Sequence, residues 1–188
     1  MVVPAVFLDR DGVLTANVER DGRPVAPTTL ADFRLLPGVE AGVSRLKDAG
    51  FVVVVVTNQP DLATGRTSRE TLEAMHDILR RAVPVDDIRV CPHVDADACE
   101  CRKPKPGLLL AAAADHGLAL ERSFLVGDRW RDVGAGQAAG CAATILLATE
   151  GCSPESQAVD CQPDFVAASL PDAVDLILQQ RLEVGRSH

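Results

Sequence analysis

Two carboxylates one residue apart, Asp9 and Asp11, close the apolar run of Ala5-Val6-Phe7-Leu8-Asp9-Arg10-Asp11-Gly12. A buried strand ending on such a pair turns both acids into one crevice, where a cation and a phosphate can meet. One carboxylate can then attack phosphorus while the other carries protons. Alone, Asp-x-Asp-Gly is as well explained by a strand-ending turn or a calcium loop. Three later segments raise its weight, because they supply the other parts of a phosphoryl-transfer site in order.

The first of these is Phe51 to Val56 followed by Thr57-Asn58-Gln59, an apolar strand delivering a hydroxyl and two amides. Such donors suit phosphate oxygens, although the same tripeptide before Pro60 also reads as a polar turn. In Ser123-Phe124-Leu125-Val126-Gly127-Asp128-Arg129-Trp130-Arg131-Asp132 the design recurs. Asp128, leaving the strand end, can reach a metal beside Asp9, whereas Asp132 falls in a helical first turn and can serve as a cap. Between them lie Cys91-Pro92-His93 and Cys99-Glu100-Cys101-Arg102-Lys103-Pro104. Three thiols and an imidazole in two close pairs match a closed tetrahedral zinc site, and the polar loop with Asp95 and Asp97 argues against buried thiols. With no open coordination position, such a zinc braces the loop over residues 91–103 and positions Arg102 and Lys103. Cys141, Cys152 and Cys161 lack comparable partners and read as buried or unpaired thiols, while His76 and His116 read as surface or capping residues on helices.

These motifs need elements to hold them. Apolar runs at Val2–Leu8, Phe51–Val56, Ile88–Cys91, Phe124–Val126 and Ala143–Leu147 alternate with helical segments, an α/β pattern. Pro37-Gly38 opens a helix that stops at Gly50, and Thr67 with Glu70 predicts a capping box for a helix through Arg81. Pro106 precedes a helix over Leu108–His116 closed by Gly117. Asp132–Ala139 and Leu170–Leu182 are predicted helices, residues 149–163 an irregular loop, and 185–188 a loose tail.

At 188 residues and 47% hydrophobic content the chain suits one domain, 1–188, with a substantial core. Its longest apolar run is far short of a membrane span and no signal-like N-terminus is present, which predicts a cytoplasmic protein. A formal net charge of -8 argues against general affinity for nucleic acid or anionic membranes. Arg10, Arg102, Lys103, Lys105, Arg129 and Arg131 are the cations available to a small phosphate ester.

Together the motifs resemble those of the haloacid dehalogenase-like (HAD) phosphatases over essentially the whole chain. The Cys-x-His and Cys-x-Cys pairs before Arg-Lys-Pro are similar to the branch holding the heptose 1,7-bisphosphate 7-phosphatases and the histidinol-phosphate phosphatases. The resemblance implies a Rossmann-like three-layer α/β sandwich around a parallel sheet, without a separate cap domain. It implies that Asp9 is the nucleophile, Asp11 the general acid and base, and Mg2+ is held by Asp9, Asp128 and the backbone carbonyl of Asp11. Thr57, Asn58 and Lys103 would hold phosphate oxygens, with Arg10, Gln59, Arg102 and Arg129 lining the substrate site and Asp132 supporting from behind. The implied substrate is a small phosphorylated sugar, a heptose bisphosphate first and histidinol phosphate as the alternative, acted on by a monomer. Gln59-Pro60-Asp61-Leu62-Ala63-Thr64-Gly65 departs from the Ser-Gly-Ile-Ala-Arg-Gly usual after this Thr-Asn-Gln, and Arg129 stands where Lys is frequent. A non-catalytic zinc-braced binding module is the alternative from another class.

Overall fold

In the computed structural model, which describes residues 2–148 and 162–186, the valine-rich runs become the centre of a six-stranded sheet. Its strands are β1 (Ala5–Leu8), β4 (Val52–Asn58), β5 (Asp87–Cys91), β6 (Phe124–Gly127), β7 (Ala143–Leu147) and β8 (Phe165–Ala167), in the order β5-β4-β1-β6-β7-β8. All neighbours pair in parallel, Phe7 lying between Val54 and Leu125. Because strand order reverses direction beside β1, a crevice opens beyond the C-terminal ends of β1, β4 and β6.

Helices α1 (Val39–Asp48), α2 (Arg69–Ala82) and α5 (Leu170–Arg186) cover one face; α3 (Gly107–His116) and α4 (Trp130–Ala139) cover the other. The two-residue period of the strands sorts the core accordingly. Val6, Leu8, Val53 and Val55 pack with Val43, Met75 and Ile177, while Phe7, Val54 and Val56 pack with Leu109 and Ala112. Every residue of β1 is fully buried, which is why this strand reads as a continuous apolar run and not as an alternation. Each large apolar side chain so buried contributes about 1.5–3 kcal/mol, and the strand ends where the first carboxylate appears. Among the described residues no helix is long and apolar enough to cross a membrane.

Several expectations shift. β1 starts at Ala5, since Val3 makes only a single bridge, to Leu118. The loop before Pro27 contains a hairpin, β2 (Val18–Arg20) and β3 (Arg23–Val25), turned by Asp21 and Gly22 at φ 53° and 71°. Positive φ at both central residues is the turn that Asp-Gly favours, a signal masked by three-residue strands and Pro24. Strand β8 was too short to read. The N-cap of α2 is Ser68, accepting from the Thr71 N–H at 3.1 Å, while the Thr67 hydroxyl donates to Thr28 O. Gly185 does not stop α5, which runs to Arg186. Most of the 149–163 loop, with Cys152 and Cys161, lies outside the described residues.

Candidate active site

The nucleophile-like pair sits where the sheet delivers it. Asp9 extends β1 by one bond, its N–H donating to Val126 O at 3.0 Å. Its Oδ1 accepts from the Arg10 N–H at 2.7 Å and lies 3.0 Å from Lys103 Nζ. Lys103, 1% exposed, also donates to Val56 O at 2.8 Å and to Asp132. It is held there by Asn58, whose side-chain amide both donates to Lys103 O and accepts from Lys103 N, each at 3.1 Å. The loop that carries the Cys and His residues is thereby latched to the end of β4.

Asp128 follows β6 and is 2% exposed. Asp9, Asp128 and Asp132 each place one carboxylate oxygen within 4.8 Å of the others. Asp132 is already committed: one oxygen takes the Lys103 ammonium and the other caps α4 by accepting from the Arg129 N–H at 3.0 Å. It packs so closely beneath β6 that a Cβ on Gly127 would overlap its side chain. The acids left for a cation are Asp9 and Asp128. Gly12, at φ 84°, lets the loop curl under them, since a Cβ there would overlap the Asp128 carboxylate. Asn17 Nδ2 donates to Asp128 Oδ2 at 3.2 Å, leaving Asn17 Oδ1 buried without a hydrogen-bond partner. An orphaned acceptor beside converging carboxylates fits a hydrated Mg2+.

The electrostatics agree. Burial pushes the Asp9 carboxyl well above its usual range, the nearby Asp132, Asp128 and Asp11 add to this, and Lys103 pulls the other way. Asp128 is pushed up to about 6, first by burial and then by Asp132. Burial works against the Lys103 charge, but Asp132 and Asp9 outweigh it and hold the ammonium protonated. Acids so crowded and desolvated are poised to take a cation.

Around this floor opens a crevice of about 320 Å³, lined by Asp9, Asp11, Thr57, Asn58, Lys103 and Asp132. Arg20, Arg66, Arg102, Arg129 and Arg131 line it as well. Asp95 organises two of these: it accepts from Arg102 Nε at 2.8 Å and from Arg131 Nη1 at 2.7 Å. Both guanidiniums hold its carboxyl well below the usual range. Arg129 reaches the hairpin, donating to Pro24 O at 3.0 Å. Arg20 and Arg66 were not singled out from sequence, and Asp95 only as part of a polar loop, because charge outside a motif carries no pattern; only the fold brings them to one opening.

Two expected site residues face elsewhere. Arg10 is fully buried and points away from the crevice, where Nε and Nη2 grip Asp11 at 2.9 and 3.0 Å and its guanidinium lies 5.6 Å from the Phe33 ring centre. The Gln59 side chain is also spent internally, donating to Asp11 Oδ2 at 2.7 Å and to Thr57 Oγ1 at 2.9 Å. By occupying the Thr57 oxygen as acceptor, it leaves that hydroxyl's proton to be given away. Asn58 lines the crevice, but its side-chain amide is spent on Lys103. Lys105 pairs with Glu100 at 2.8 Å.

His76, read from sequence as surface or capping, is 1% exposed. Its position was legible: Leu72, Met75, His76 and Leu79 form one buried stripe of α2. Burial lowers its pKa to about 4 from 6.5, with Arg10 and Arg80 adding to the effect and Asp11 and Asp77 opposing it. Glu73 lies 3.9 Å from Nδ1. Because the unfolded chain takes up the proton first as pH falls, stability should decline from about pH 6.5 to about pH 4, by about 3 kcal/mol from this group. Chemical denaturation at pH 7 and pH 4.5 checks this; the loss should shrink in His76→Gln.

Cys91, His93, Cys99 and Cys101 converge as expected, with Sγ–Sγ distances of 3.7 Å (Cys91–Cys99) and 3.5 Å (Cys99–Cys101). His93 Nδ1 lies 3.6 Å from Cys91 Sγ and 3.3 Å from Cys101 Sγ. With metal–sulfur bonds of about 2.3 Å and metal–nitrogen bonds of about 2.0 Å, a tetrahedron has edges of about 3.5–3.8 Å, so the donor set fits Zn2+. The cysteines are free. Cys141 is also a free, half-buried thiol.

The fold and this constellation of acids define a hydrolase class, and the comparisons bear it out. The HAD-hydrolase-like family matches residues 100–173. The D-glycero-beta-D-manno-heptose-1,7-bisphosphate 7-phosphatase of Rhodopseudomonas palustris is 38% identical over 149 residues, 73% of this chain and 79% of that one. The Escherichia coli K12 protein of the same name is 33% identical over 192 residues, covering 95% and 96% of the two chains. The crystal structure of D,D-heptose 1,7-bisphosphate phosphatase from B. bronchiseptica, complexed with magnesium and phosphate, superposes with a TM-score of 0.82 at 34% identity, covering 94% of this chain and 99% of that one. The chain belongs to the HAD-like hydrolases, in the branch of the heptose bisphosphate phosphatases.

Proposed function

We propose that the protein is a Mg2+-dependent phosphatase that removes the phosphate on the primary, terminal carbon of a heptose 1,7-bisphosphate. The observation that carries this reading is the convergence of Asp9, Asp11, Thr57 and Lys103 on one crevice, with a carboxylate oxygen of Asp128 within 4.8 Å of one of Asp9, in a chain whose relatives bear that name. Asp9 attacks phosphorus, the ester P–O bond breaks, and Asp11 gives its proton to the departing sugar oxygen. Asp11 then takes a proton from the water that attacks the aspartyl-phosphate, and inorganic phosphate leaves. Thr57, the backbone N–H of Asn58 and Lys103 hold the phosphate oxygens by fixed donors. Held by Asp9, Asp128 and the Asp11 carbonyl, Mg2+ when bound offsets the repulsion between carboxylate and ester.

Among the described residues no cap domain covers the crevice, which suits a protruding primary phosphate, and the arginines at its rim suit a second anion. The test is Mg2+-dependent phosphate release from a panel of heptose 1,7-bisphosphate, its monophosphates, histidinol phosphate and an aryl phosphate. The bisphosphate should show the highest kcat/KM. Preference for histidinol phosphate would overturn the sugar assignment and leave the chemistry standing.

The Cys91, His93, Cys99 and Cys101 cluster holds a structural Zn2+ in this reading, bracing the segment that carries Arg102 and Lys103. Protein purified without chelator should contain close to one zinc per chain. Cys101→Ser should lose the metal and expose the segment to proteolysis. Full activity and unchanged protease resistance in zinc-free protein would contradict the assignment.

A further inference from the structure

We propose that His76, on α2, is a positioning residue for the proton-transfer step: through Arg10 it fixes the orientation of Asp11. The inference rests on the phosphatase reading above. Asp11 receives four side-chain donors, Arg10 Nε and Nη2, the Thr15 hydroxyl at 3.0 Å and Gln59 Nε2. Of these, the guanidinium alone grips both oxygens, and so sets the plane of the carboxylate.

Arg10 itself has to be held. It is fully buried, and its remaining nitrogen, Nη1, lies 3.2 Å from His76 Nε2. A guanidinium only donates, so His76 Nε2 must present its lone pair and carry its proton on Nδ1, on the side of Glu73. His76 cannot drift, because Leu72, Met75 and Leu79 on the same stripe are locked into the core. Phe33 supports the guanidinium from its ring face. The chain Asp11, Arg10, His76 therefore ties the loop after β1 to a helix that contributes nothing else to the crevice floor. Without an acceptor at position 76, Nη1 would be buried and unpaired. Arg10 would then rotate to find a partner, releasing one Asp11 oxygen.

The experiment compares full-length wild type, His76→Leu and His76→Gln, whose amide oxygen can accept from Arg10. Two substrates are used: a primary alkyl phosphate, whose leaving oxygen needs a proton, and 2,4-dinitrophenyl phosphate, whose leaving group does not. His76→Leu should lower kcat/KM for the alkyl ester by about 10–100-fold, within what proton transfer is worth. For the dinitrophenyl ester the change should stay within about threefold, and Gln should recover most of the loss. If the Leu protein does not fold, His76→Asn, whose oxygen is too short to reach Arg10, takes its place. Equal losses on both esters, or no loss on either, would overturn the proposal, since a structural role alone cannot discriminate between leaving groups. Failure of the wild type to hydrolyse either ester would instead overturn the phosphatase reading, a separate result.

Discussion

Asp9→Asn is expected to lower kcat by at least ~10,000-fold while leaving the fold intact, because a carboxamide is a poor nucleophile toward phosphorus. The substitution also removes one of two carboxylates available to the cation. Its effect on stability should run the opposite way. The Asp9 carboxyl is pushed well up by burial and by Asp132, Asp128 and Asp11, so its folded pKa lies above the unfolded one. Such a group favours the folded form at low pH and does so less as pH rises through its folded pKa. At neutral pH without Mg2+, a neutral amide of the same shape should hold or raise Tm. Single-turnover assays and thermal unfolding of the same preparation test both halves. Turnover within tenfold of wild type would remove Asp9 from the nucleophile's place, and a large fall in Tm would show that its charge supports the fold.

Lys103→Gln should be damaging in both respects. Lys103 is 1% exposed, and its ammonium joins Asp9, Asp132 and Val56 O at the floor of the crevice. Breaking such a buried charge cluster by removing one partner costs about 3–5 kcal/mol. Loss of one fixed cation or donor from a phosphoryl-transfer site typically lowers kcat by about 100–1,000-fold. Urea titration and steady-state kinetics measure the two effects. Mg2+ should recover part of the stability, since it offsets the same carboxylates, but it cannot replace a donor on the far phosphate oxygens. Lys103→Arg is a stringent control: its charge is kept, yet a planar fork does not fit a site shaped for one nitrogen. Wild-type kinetics in Lys103→Gln would show that the Cys and His loop contributes nothing to the chemistry.

The residues proposed to carry the chemistry were picked out by type and spacing alone. Asp9 and Asp11 after an apolar run, Asp128 after another, and the Cys91-x-His93 and Cys99-x-Cys101 pairs each carry their meaning locally. Strand ends and ligand pairs are short-range features. The α/β class followed from the alternation of valine-rich runs with capped helices, since those runs can be satisfied only in a sheet covered on both faces. What only the tertiary structure decided was direction. Arg10 and Gln59 stand beside the positions proposed as catalytic, yet fold inward to hold Asp11 and Thr57. Arg20, Arg66 and Asp95 come from segments far apart in the chain to ring the opening or tie its arginines. His76 belongs to the buried stripe of α2, but only the fold sets that stripe against Arg10. A side chain's partner across the sheet depends on how helices pack over it, and that information is spread over the whole core and not written at any one position.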